Sequence, residues 1–338
     1  MASAQSQPGQ DLLNEALLRF GHTSFRPGQR EAIETLLEDG RLLLVAPTGG
    51  GKSLTYQLPA AVIGGTTLVL SPLIALMEDQ VAQLQSHGFR ATFIASTLDV
   101  DASRERMTKF ANGEYDFVYV APERLQYPGF QRAVSEAPIE LLAIDEAHCI
   151  SEWGHDFRPE YLRIGEFIQR LAPKRVLACT ATATPIVRDE IVLRLGLGED
   201  TPQQIRGFAR PNLSLQVVDG EGSKARKSKI DGLLKTALGS PVRPKGTAII
   251  YTPTRKSAEE EASKLRSSGW RADAYHAGLG ADERERVSRG FREGDLDIVA
   301  ATCAFGMGID RSDVRAVIHI APPGSIEAYY QEVGRAGR

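Results

Sequence analysis

Cysteine is scarce in this sequence, and the positions of the few cysteines exclude two kinds of site. Cys149, Cys179 and Cys303 are the only three in 338 residues. They lie far apart, with no C-x-x-C pair and no neighbouring cluster of His and Cys, so neither a zinc site nor a disulfide framework is indicated. We therefore expect no zinc in this chain, and a reducing compartment for it.

Long hydrophobic runs and an excess of positive charge are also missing. No apolar run approaches the roughly 18 residues of a membrane span. The first ten residues, MASAQSQPGQ, lack the basic and apolar regions of a secretory signal. Lys and Arg number 40 against 43 Asp and Glu, which gives a net charge of −3. The sequence thus predicts no membrane partner, and any contact with nucleic acid must come from a local patch.

The chain instead alternates short apolar runs with longer amphipathic ones. RLLLVAP, TTLVLSP, ATFIAS, DFVYVAP, ELLAID and RVLACT lie between helical patterns, which is typical of a parallel sheet covered on both faces. The pattern pauses across residues 198–229 and restarts with GTAIIYT, RADAYHA, LDIVAAT and RAVIHIA. We predict an α/β fold in two domains, 1–206 and 207–338. The basic run KARKSK in the pause is interpreted as a solvated loop, with a phosphate contact as the alternative.

A phosphate-binding loop is predicted after the first apolar run. LLLVAPTGGGKS reads from strand to Gly-rich loop to helix and matches G-x-x-x-x-G-K-[ST], with Ala46 at the first glycine position. Lys52 would reach the β and γ phosphates and Ser53 would hold Mg²⁺, while the alternative is a Gly-rich turn with a surface lysine. The predicted nucleotide-binding residues of this loop are Thr48, Gly49, Gly50, Gly51, Lys52 and Ser53.

Two carboxylates follow a buried strand later in the same domain. In LLAIDEAHC, Asp145 and Glu146 come at the carboxyl end of the strand, where ligands bind in open α/β sheets. Asp145 is predicted to hold Mg²⁺ and Glu146 to act as the base or orienting group for the attacking water. A solvated strand end is the alternative for a carboxylate pair taken alone.

Ten segments, in order along nearly the whole chain, resemble the motifs of superfamily 2 helicases and, within them, of the RecQ family of DNA helicases. The aromatic-rich stretch after DEAH is the part that resembles RecQ proteins in particular. The segments are FRPGQREAI, APTGGGKSLTYQLPA, SPLIALMEDQ, APERL, DEAHCISEWGHDFRPEY, TATAT, FARPN, AYHAGL, ATCAFGMGID and YYQEVGRAGR.

The resemblance implies two tandem RecA-like domains with ATP between them. It implies that Gln29 hydrogen-bonds the adenine edge and that Arg26 stacks on its face. His22 stands where the family often has an aromatic residue; an imidazole can still stack, and packing in the core is the alternative. It further implies that Thr180 and Thr182 of TATAT join the nucleotide state to domain movement, as do Gly306, Gly308 and Asp310 of AFGMGID.

In the second domain, QEVGRAGR resembles the last motif of the family. The resemblance implies that Arg335 and Arg338 stabilise the charge of the phosphoryl-transfer transition state, with Arg338 as the expected arginine finger. Both would act only when the domains close, and a solvated turn is the alternative.

The aromatic-rich stretch is predicted to couple DNA binding to ATP hydrolysis. Trp153, His155 and Phe157 can stack on bases, and Arg158 can contact phosphate. Because the stretch begins beside Asp145 and Glu146, bound DNA can order it and reposition those carboxylates. The alternative is that Trp153 and Phe157 pack beneath the domain.

The expected function is that of an ATP-dependent DNA helicase core, with ATP and Mg²⁺ as cofactors, acting in DNA repair or recombination. Its expected partners are single-stranded DNA and junctions of single and double strands, and we expect a monomer. The family implies 3′ to 5′ polarity and a location with DNA: cytoplasmic and nucleoid-associated in a bacterium, or nuclear in a eukaryote. A nucleic-acid clamp without net unwinding and an RNA helicase remain alternatives.

The last motif resembles one after which RecQ proteins normally continue. Relatives commonly add a zinc-binding subdomain and a winged helix, and their strand separation relies on the latter. We therefore expect a core fragment, or a family member with a different ending, whose unwinding of duplexes is weak.

Overall fold

The computed structural model describes residues 8–47, 49–152, 156–207, 212–219, 222–305 and 311–337. The chain divides into two compact units, Met1–Phe208 and Ala209–Arg338. The sequence-based boundary at residue 206 lies just before this division.

Unit 1 is an α/β domain whose strands alternate with helices. Its helices are α1 (Pro8–Arg19), α2 (Gln29–Asp39), α3 (Lys52–Ile63), α4 (Ile74–Ser86), α5 (Val100–Ala111), α6 (Pro128–Glu136), α7 (Ile164–Leu171) and α8 (Pro185–Leu195). Its strands are β1 (Arg41–Val45), β2 (Thr66–Leu70), β3 (Ala91–Ile94), β4 (Phe117–Val120), β5 (Ile139–Ile144), β6 (Arg175–Thr180) and β7 (Gln203–Ile205). Short 3₁₀ helices span Pro122–Gln126, Ala147–Ile150 and Pro159–Arg163.

The sheet of unit 1 is buried on both faces, which explains why its strands have continuous apolar sequences. All paired strands are parallel, and their order is β3-β4-β2-β5-β6-β1-β7. Successive residues of β1 enter opposite cores: Leu42 and Leu44 pack on one side, Leu43 and Val45 on the other. The six predicted strands of this domain are confirmed.

The strand order brings three predicted motifs to one edge of the sheet. β6 lies between β1 and β5, so the carboxyl ends of these strands are neighbours. The phosphate loop follows β1, Asp145 follows β5, and Thr180 ends β6. This edge is where ligands bind in open parallel sheets.

Unit 2 contains a smaller parallel sheet with the order β11-β12-β10-β13, and an antiparallel pair, β8-β9. Two apolar clusters form its cores. Its elements are α9 (Ser223–Leu238), β8 (Gly239–Ser240), β9 (Arg243–Pro244), β10 (Thr247–Tyr251), α10 (Arg255–Ser267), β11 (Ala272–Tyr275), α11 (Ala281–Glu293), β12 (Ile298–Ala301), β13 (Val314–His319), α12 (Ile326–Val333) and a 3₁₀ helix at Gly334–Gly337.

The basic run 224–229 does not form the predicted loop. It belongs to α9, whose later residues Ile230, Leu234 and Leu238 are buried in a core of unit 2. Their spacing of four residues places one apolar stripe on the helix, and the basic side chains at positions 226, 227 and 229 are exposed. The prediction of a loop was wrong because the first buried residue of α9, Ile230, comes after the basic run, so the run itself contains no apolar position that indicates a helix.

Among the helices in the described ranges, none combines the length and apolar character needed to cross a membrane.

Candidate nucleotide site and coupling segment

The phosphate loop begins where β1 ends. The Ala46 amide donates to the Thr180 carbonyl (3.0 Å), and the Gly50 amide closes a tight turn onto the Pro47 carbonyl (2.8 Å). Gly51, at φ 77°, precedes the first residue of α3, which is Lys52. The loop thus delivers its backbone amides and Lys52 to the positive end of a helix, an arrangement that favours bound phosphate.

Two of the glycines are required by close contacts. A Cβ on Gly51 would lie 2.1 Å from Nε2 of Gln29, and a Cβ on Gly50 would lie 2.8 Å from the Pro47 carbonyl oxygen. Such a cradle, which side chains would fill, fits the phosphates of a nucleoside triphosphate. The alternative of an ordinary Gly-rich surface turn does not explain these contacts. Thr48 lies outside the described residues.

Replacing Gly51 with Ala is expected to weaken ATP binding by about 10- to 150-fold, the equivalent of one hydrogen bond to a charged group. The new methyl group would strain a left-handed backbone position and displace the Gln29 amide. Gly64→Ala is the matched control: Gly64 follows the other end of α3 at φ 70° with no neighbouring atom within 4 Å. Titration with a fluorescent ATP analogue measures both. Equal affinities in the two variants would contradict the prediction.

Lys52 and Ser53 start α3. The Lys52 ammonium donates to the Ala46 carbonyl (3.1 Å), so it lies over the loop. Ser53 occupies the next position of the helix, with its side chain partly exposed. Both residues are therefore placed where the sequence pattern requires, and their contacts with nucleotide and Mg²⁺ remain predictions.

The predicted adenine residues approach the same loop. The Gln29 side chain is buried; its Oε1 accepts from the Arg26 amide (2.7 Å) and its Nε2 donates to the Gly51 carbonyl (3.1 Å). The Arg26 guanidinium donates to the Gly49 carbonyl. Gln29 and Arg26 therefore brace the phosphate loop, a role not anticipated from the sequence, while their adenine contacts stay a prediction. His22 is exposed, so the alternative that it packs in the core is wrong.

Asp145 and Glu146 adopt a fixed geometry after β5. The Asp145 side chain is buried; its Oδ1 accepts from the Glu146 amide (3.0 Å) and lies 3.5 Å from Sγ of Cys179. The Tyr161 hydroxyl donates to the Asp145 carbonyl (2.9 Å). Glu146 has a left-handed backbone, with φ 48° and ψ 47°, an uncommon conformation for a residue with a side chain. Such outliers persist only where their surroundings impose them, and they concentrate at functional sites.

The pKa of the buried Asp145 depends both on its neighbour Glu146 and on Lys52 at the end of the phosphate loop. Burial raises the pKa of its carboxyl above the ordinary range, the neighbouring Glu146 raises it further, and the Lys52 ammonium lowers it. The phosphate loop and the carboxylates are thus close enough to interact. The donor set of one hydroxyl, from Ser53, and one buried carboxylate, from Asp145, is all oxygen and suits Mg²⁺, which a bound nucleotide would help to ligate.

A buried hydrogen-bond chain connects this site to TATAT. Nδ1 of His148 lies 3.3 Å from Oε2 of Glu146 and 2.7 Å from Oγ1 of Thr180. Oγ1 of Thr180 in turn donates to the Thr182 carbonyl (3.1 Å). His148, Thr180 and Thr182 are buried. Thr180 and Thr182 were expected to respond to the nucleotide state, but His148 was not expected to connect them to the carboxylates. The fourth letter of DEAH was the available signal.

The predicted coupling segment, residues 151–158, follows the 3₁₀ helix Ala147–Ile150. Its end folds back, because the Arg158 amide donates to the Cys149 carbonyl (2.9 Å). The Arg158 guanidinium contacts the Asp156 carboxylate (3.3 Å) and the Pro72 carbonyl (3.0 Å), and the Phe157 ring is 36% exposed. Phe157 is therefore available for stacking rather than enclosed in the core. Trp153 and His155 lie outside the described residues.

In unit 2, Arg335 lies in the 3₁₀ helix Gly334–Gly337 and is buried. Burial raises the pKa of the Tyr251 phenol, and the nearby Arg335 guanidinium lowers it. The phenol donates to the Phe305 carbonyl (2.7 Å). His319 stacks on Tyr251 and pairs with Glu332 (2.6 Å). The solvated-turn alternative is wrong for Arg335. Arg338, Gly306, Gly308 and Asp310 lie outside the described residues.

Comparison with known proteins supports the reading of both units. The DEAD/DEAH box helicase family model matches residues 26–190, and the helicase conserved C-terminal domain model matches residues 228–338. The structure of Saccharomyces cerevisiae Dbp5 bound to RNA and ADP BeF3 has a TM-score of 0.74 at 18% identity, covering 99% of this chain and 85% of that one. The fold is thus that of two RecA-like domains, the architecture of a DEAD/DEAH box helicase core.

Among curated proteins, the RecQ helicase of Bacillus subtilis is 43% identical and that of Pasteurella multocida 41% identical, each over 94% of this chain. SGS1 of Saccharomyces cerevisiae is 37% identical over the whole chain and 24% of its own length. The chain belongs to the RecQ family of helicases. It spans about half the length of the bacterial relatives, 53% and 49% of these two.

Proposed function

We propose that this chain is the motor core of an ATP-dependent DNA helicase that translocates 3′ to 5′ on single strands in DNA repair or recombination. The observation that carries the proposal is the continuous set of contacts from phosphate loop to coupling segment. Lys52 interacts with Asp145, the Asp145 carbonyl accepts from the Tyr161 hydroxyl, and the Tyr161 amide donates to the carbonyl of Arg158, the last residue of the segment (3.0 Å). A nucleotide event at Lys52 can therefore reach residues 151–158 through a few fixed contacts.

In this function the loop glycines and Lys52 bind the triphosphate of ATP, with Gln29, Arg26 and His22 at the adenine. Ser53 and Asp145 hold Mg²⁺, which supplies charge neutralisation for the phosphates. Glu146 orients the attacking water and accepts its proton. Its carboxylate lies 3.3 Å from Nδ1 of the buried His148, and this contact helps to orient it before the reaction. Arg335 and Arg338 are the proposed cations that stabilise the transition state.

DNA acts through the coupling segment in this proposal. Trp153, His155 and Phe157 stack on bases, and Arg158 reaches phosphate. The Arg158 guanidinium is held by Asp156 and Pro72, so a phosphate that competes for it changes the end of the segment bonded to Cys149. Single strands and junctions are the proposed partners, and a monomer is the proposed state. The RecQ relatives carry the names of DNA helicases, which favours DNA over RNA.

Steady-state ATP hydrolysis with and without single-stranded DNA tests the proposal. We expect strong stimulation by DNA, and weaker stimulation by RNA of the same sequence. Equal stimulation by the two would contradict the DNA assignment. ATP-dependent displacement of streptavidin from one end of a biotinylated strand then tests polar movement, since a clamp without translocation would leave the block in place.

Trp153→Ala and Phe157→Ala are each expected to raise the DNA concentration for half-maximal ATPase stimulation by about 5- to 150-fold, because stacking contributes about 1 to 3 kcal/mol per base. Tyr127→Ala is the matched control, since Tyr127 is an exposed aromatic of unit 1 outside the segment. If the two segment variants keep the wild-type midpoint and only melt at lower temperature, packing is their role.

A further inference from the structure

We propose that His148, Cys149 and Asp156 form a Zn²⁺ site through which the metal inhibits the motor by tying the DEAH segment to the coupling segment. Their donor atoms, one from each residue, all lie within 4.8 Å of one another. The site is distinct from the Mg²⁺ site, and its donors are different in kind: nitrogen, sulfur and oxygen. The proposal departs from the expectation of no zinc in this chain, because a chain reversal, and not a regular spacing of cysteines, brings the three donors together. The inhibition rests on the function proposed above, whereas the metal site does not.

The distances suit a tetrahedral ion. Sγ of Cys149 lies 3.9 Å from Nε2 of His148 and 3.7 Å from Oδ2 of Asp156. Zn–S and Zn–N or Zn–O bonds of about 2.3 and 2.0–2.1 Å at tetrahedral angles require separations of about 3.5 Å between such donors. Only small side-chain movements are therefore needed to close these two edges around an ion.

The histidine is oriented for coordination by its other nitrogen. Oγ1 of Thr180 donates to the Thr182 carbonyl, so it accepts from Nδ1–H of His148. This leaves the lone pair on Nε2, the atom that faces Cys149. A fixed tautomer with the second ring nitrogen hydrogen-bonded is the usual arrangement of a zinc-binding histidine.

The backbone explains why residues separated in sequence come together. His148 and Cys149 lie in the 3₁₀ helix Ala147–Ile150, and the bond from the Arg158 amide to the Cys149 carbonyl returns the chain beside them. Cys149 and His148 are buried, while the Asp156 side chain is 28% exposed and forms the solvent side of the site. A metal can therefore enter at Asp156. Three protein ligands leave a fourth position for water, as in exchangeable rather than closed structural sites.

Without the metal, the same groups form a hydrogen-bond chain: the Cys149 thiol faces Asp156, which pairs with Arg158. Burial raises the pKa of this thiol above its ordinary range, and Asp156 and Glu146 raise it further. The negative charges of these two carboxylates, which stabilise the protonated thiol, also attract a cation. Zn²⁺ binding forms the Zn–S bond and releases the thiol proton to solvent.

A bound Zn²⁺ would affect the motor through the residues that its ligands contact. His148 carries the link to Thr180, and Asp156 holds the Arg158 guanidinium. A metal bound to both fixes the start of the coupling segment against the DEAH residues and draws Asp156 away from Arg158. The segment then cannot respond to DNA, and stimulation of the ATPase is lost.

Titration of the chain with Co²⁺, a spectroscopic substitute for Zn²⁺, tests the site. We expect one equivalent to give the thiolate charge-transfer absorption and the intense visible bands of a tetrahedral site, and Zn²⁺ to displace it. Cys149→Ser should abolish the charge-transfer band, and Asp156→Asn should weaken binding at least about tenfold. Cys303→Ser is the matched control, because Cys303 is an exposed thiol elsewhere and should leave the spectrum unchanged.

The functional arm measures DNA-stimulated ATPase in buffers of fixed free Zn²⁺ at constant Mg²⁺, with reversal by a zinc-selective chelator. Inhibition in the wild type and Cys303→Ser, shifted at least about tenfold in Asp156→Asn, is the expected result. Because the Asp156 side chain is partly exposed, we expect Asp156→Asn to fold even if Cys149→Ser does not, so this variant can still test the proposal. A wild-type spectrum without the thiolate band, or equal inhibition in all variants, would overturn the proposal. The titration needs neither ATP nor DNA, so absence of ATPase activity would reject the proposed function without deciding the metal site.

Discussion

Glu146→Gln is expected to slow DNA-stimulated ATP hydrolysis by about 10²- to 10⁴-fold, the usual contribution of a positioned general base, while ATP still binds. Glutamine matches glutamate in size. The left-handed backbone at position 146 and the hydrogen bond from its backbone amide to the Asp145 carboxylate can therefore persist. What is lost is the carboxylate that accepts the proton of the attacking water. Single-turnover hydrolysis measures the chemical step, and binding of a fluorescent ATP analogue measures affinity.

Glu140→Gln is the control for this substitution. Glu140 lies near the opposite end of β5 and pairs with Lys174 (2.8 Å) at the surface, an ion pair of the kind that contributes about 0 to 1 kcal/mol. Its replacement should leave the hydrolysis rate unchanged. A Glu146→Gln protein that keeps more than a tenth of the wild-type rate would show that another group activates the water.

Arg338→Ala is expected to reduce kcat by about 10³- to 10⁵-fold, the range found for arginine fingers. Arg335→Ala should also reduce kcat, but it carries a second effect. Arg335 is buried near Tyr251 within unit 2. Its removal would leave a cavity and would take away the positive charge that lowers the pKa of the Tyr251 phenol. We therefore expect Arg335→Ala to lower the melting temperature of the protein, and Arg338→Ala to be distinguished by its kinetic loss.

Rates with saturating ATP and DNA, together with thermal melting, separate these two roles. Arg286→Ala is a suitable control, since Arg286 makes an exposed ion pair with Asp273 in the same unit (2.8 Å). It should change neither measurement. If Arg338→Ala hydrolyses ATP at the wild-type rate, Arg338 is not a finger, and a loss confined to Arg335→Ala would move the role to that residue.

Much of unit 1 was predictable because its sheet is buried on both faces. Short apolar runs such as RLLLV and TTLVL, bounded by turn residues, are typical of buried parallel strands, and the placement of Lys52 and Asp145 after such strands follows. The short β7 could not be found in the same way. Its residues, QQI, are polar and mostly exposed at the sheet edge, and only pairing with β1 defines it.

Side-chain roles were less predictable than positions. Gln29 was expected at adenine from its motif, but its bonds to Arg26 and Gly51 depend on how the loop before α2 folds against the phosphate loop. The His148–Thr180 bond likewise joins the 3₁₀ helix after β5 to the end of β6, and these two strands are neighbours only in the folded sheet. Asp156 beside Cys149 depends on a chain reversal with no periodicity. Sequence patterns report local spacing, and these contacts are long-range.

The strand order of unit 1 also determines when β1 can pair with its neighbours while the chain is being synthesised. β1, which carries the phosphate loop, is among the first strands to be made, yet both of its sheet partners, β6 and β7, come last in the unit, at residues 175–180 and 203–205. At about 5 to 20 residues per second, a ribosome needs roughly 10 to 30 s between them. During that interval the apolar strand RLLLV has no partner in its sheet. The phosphate loop after β1 and the carboxylates after β5 therefore become neighbours in the sheet only once β6, which lies between these two strands, has been synthesised.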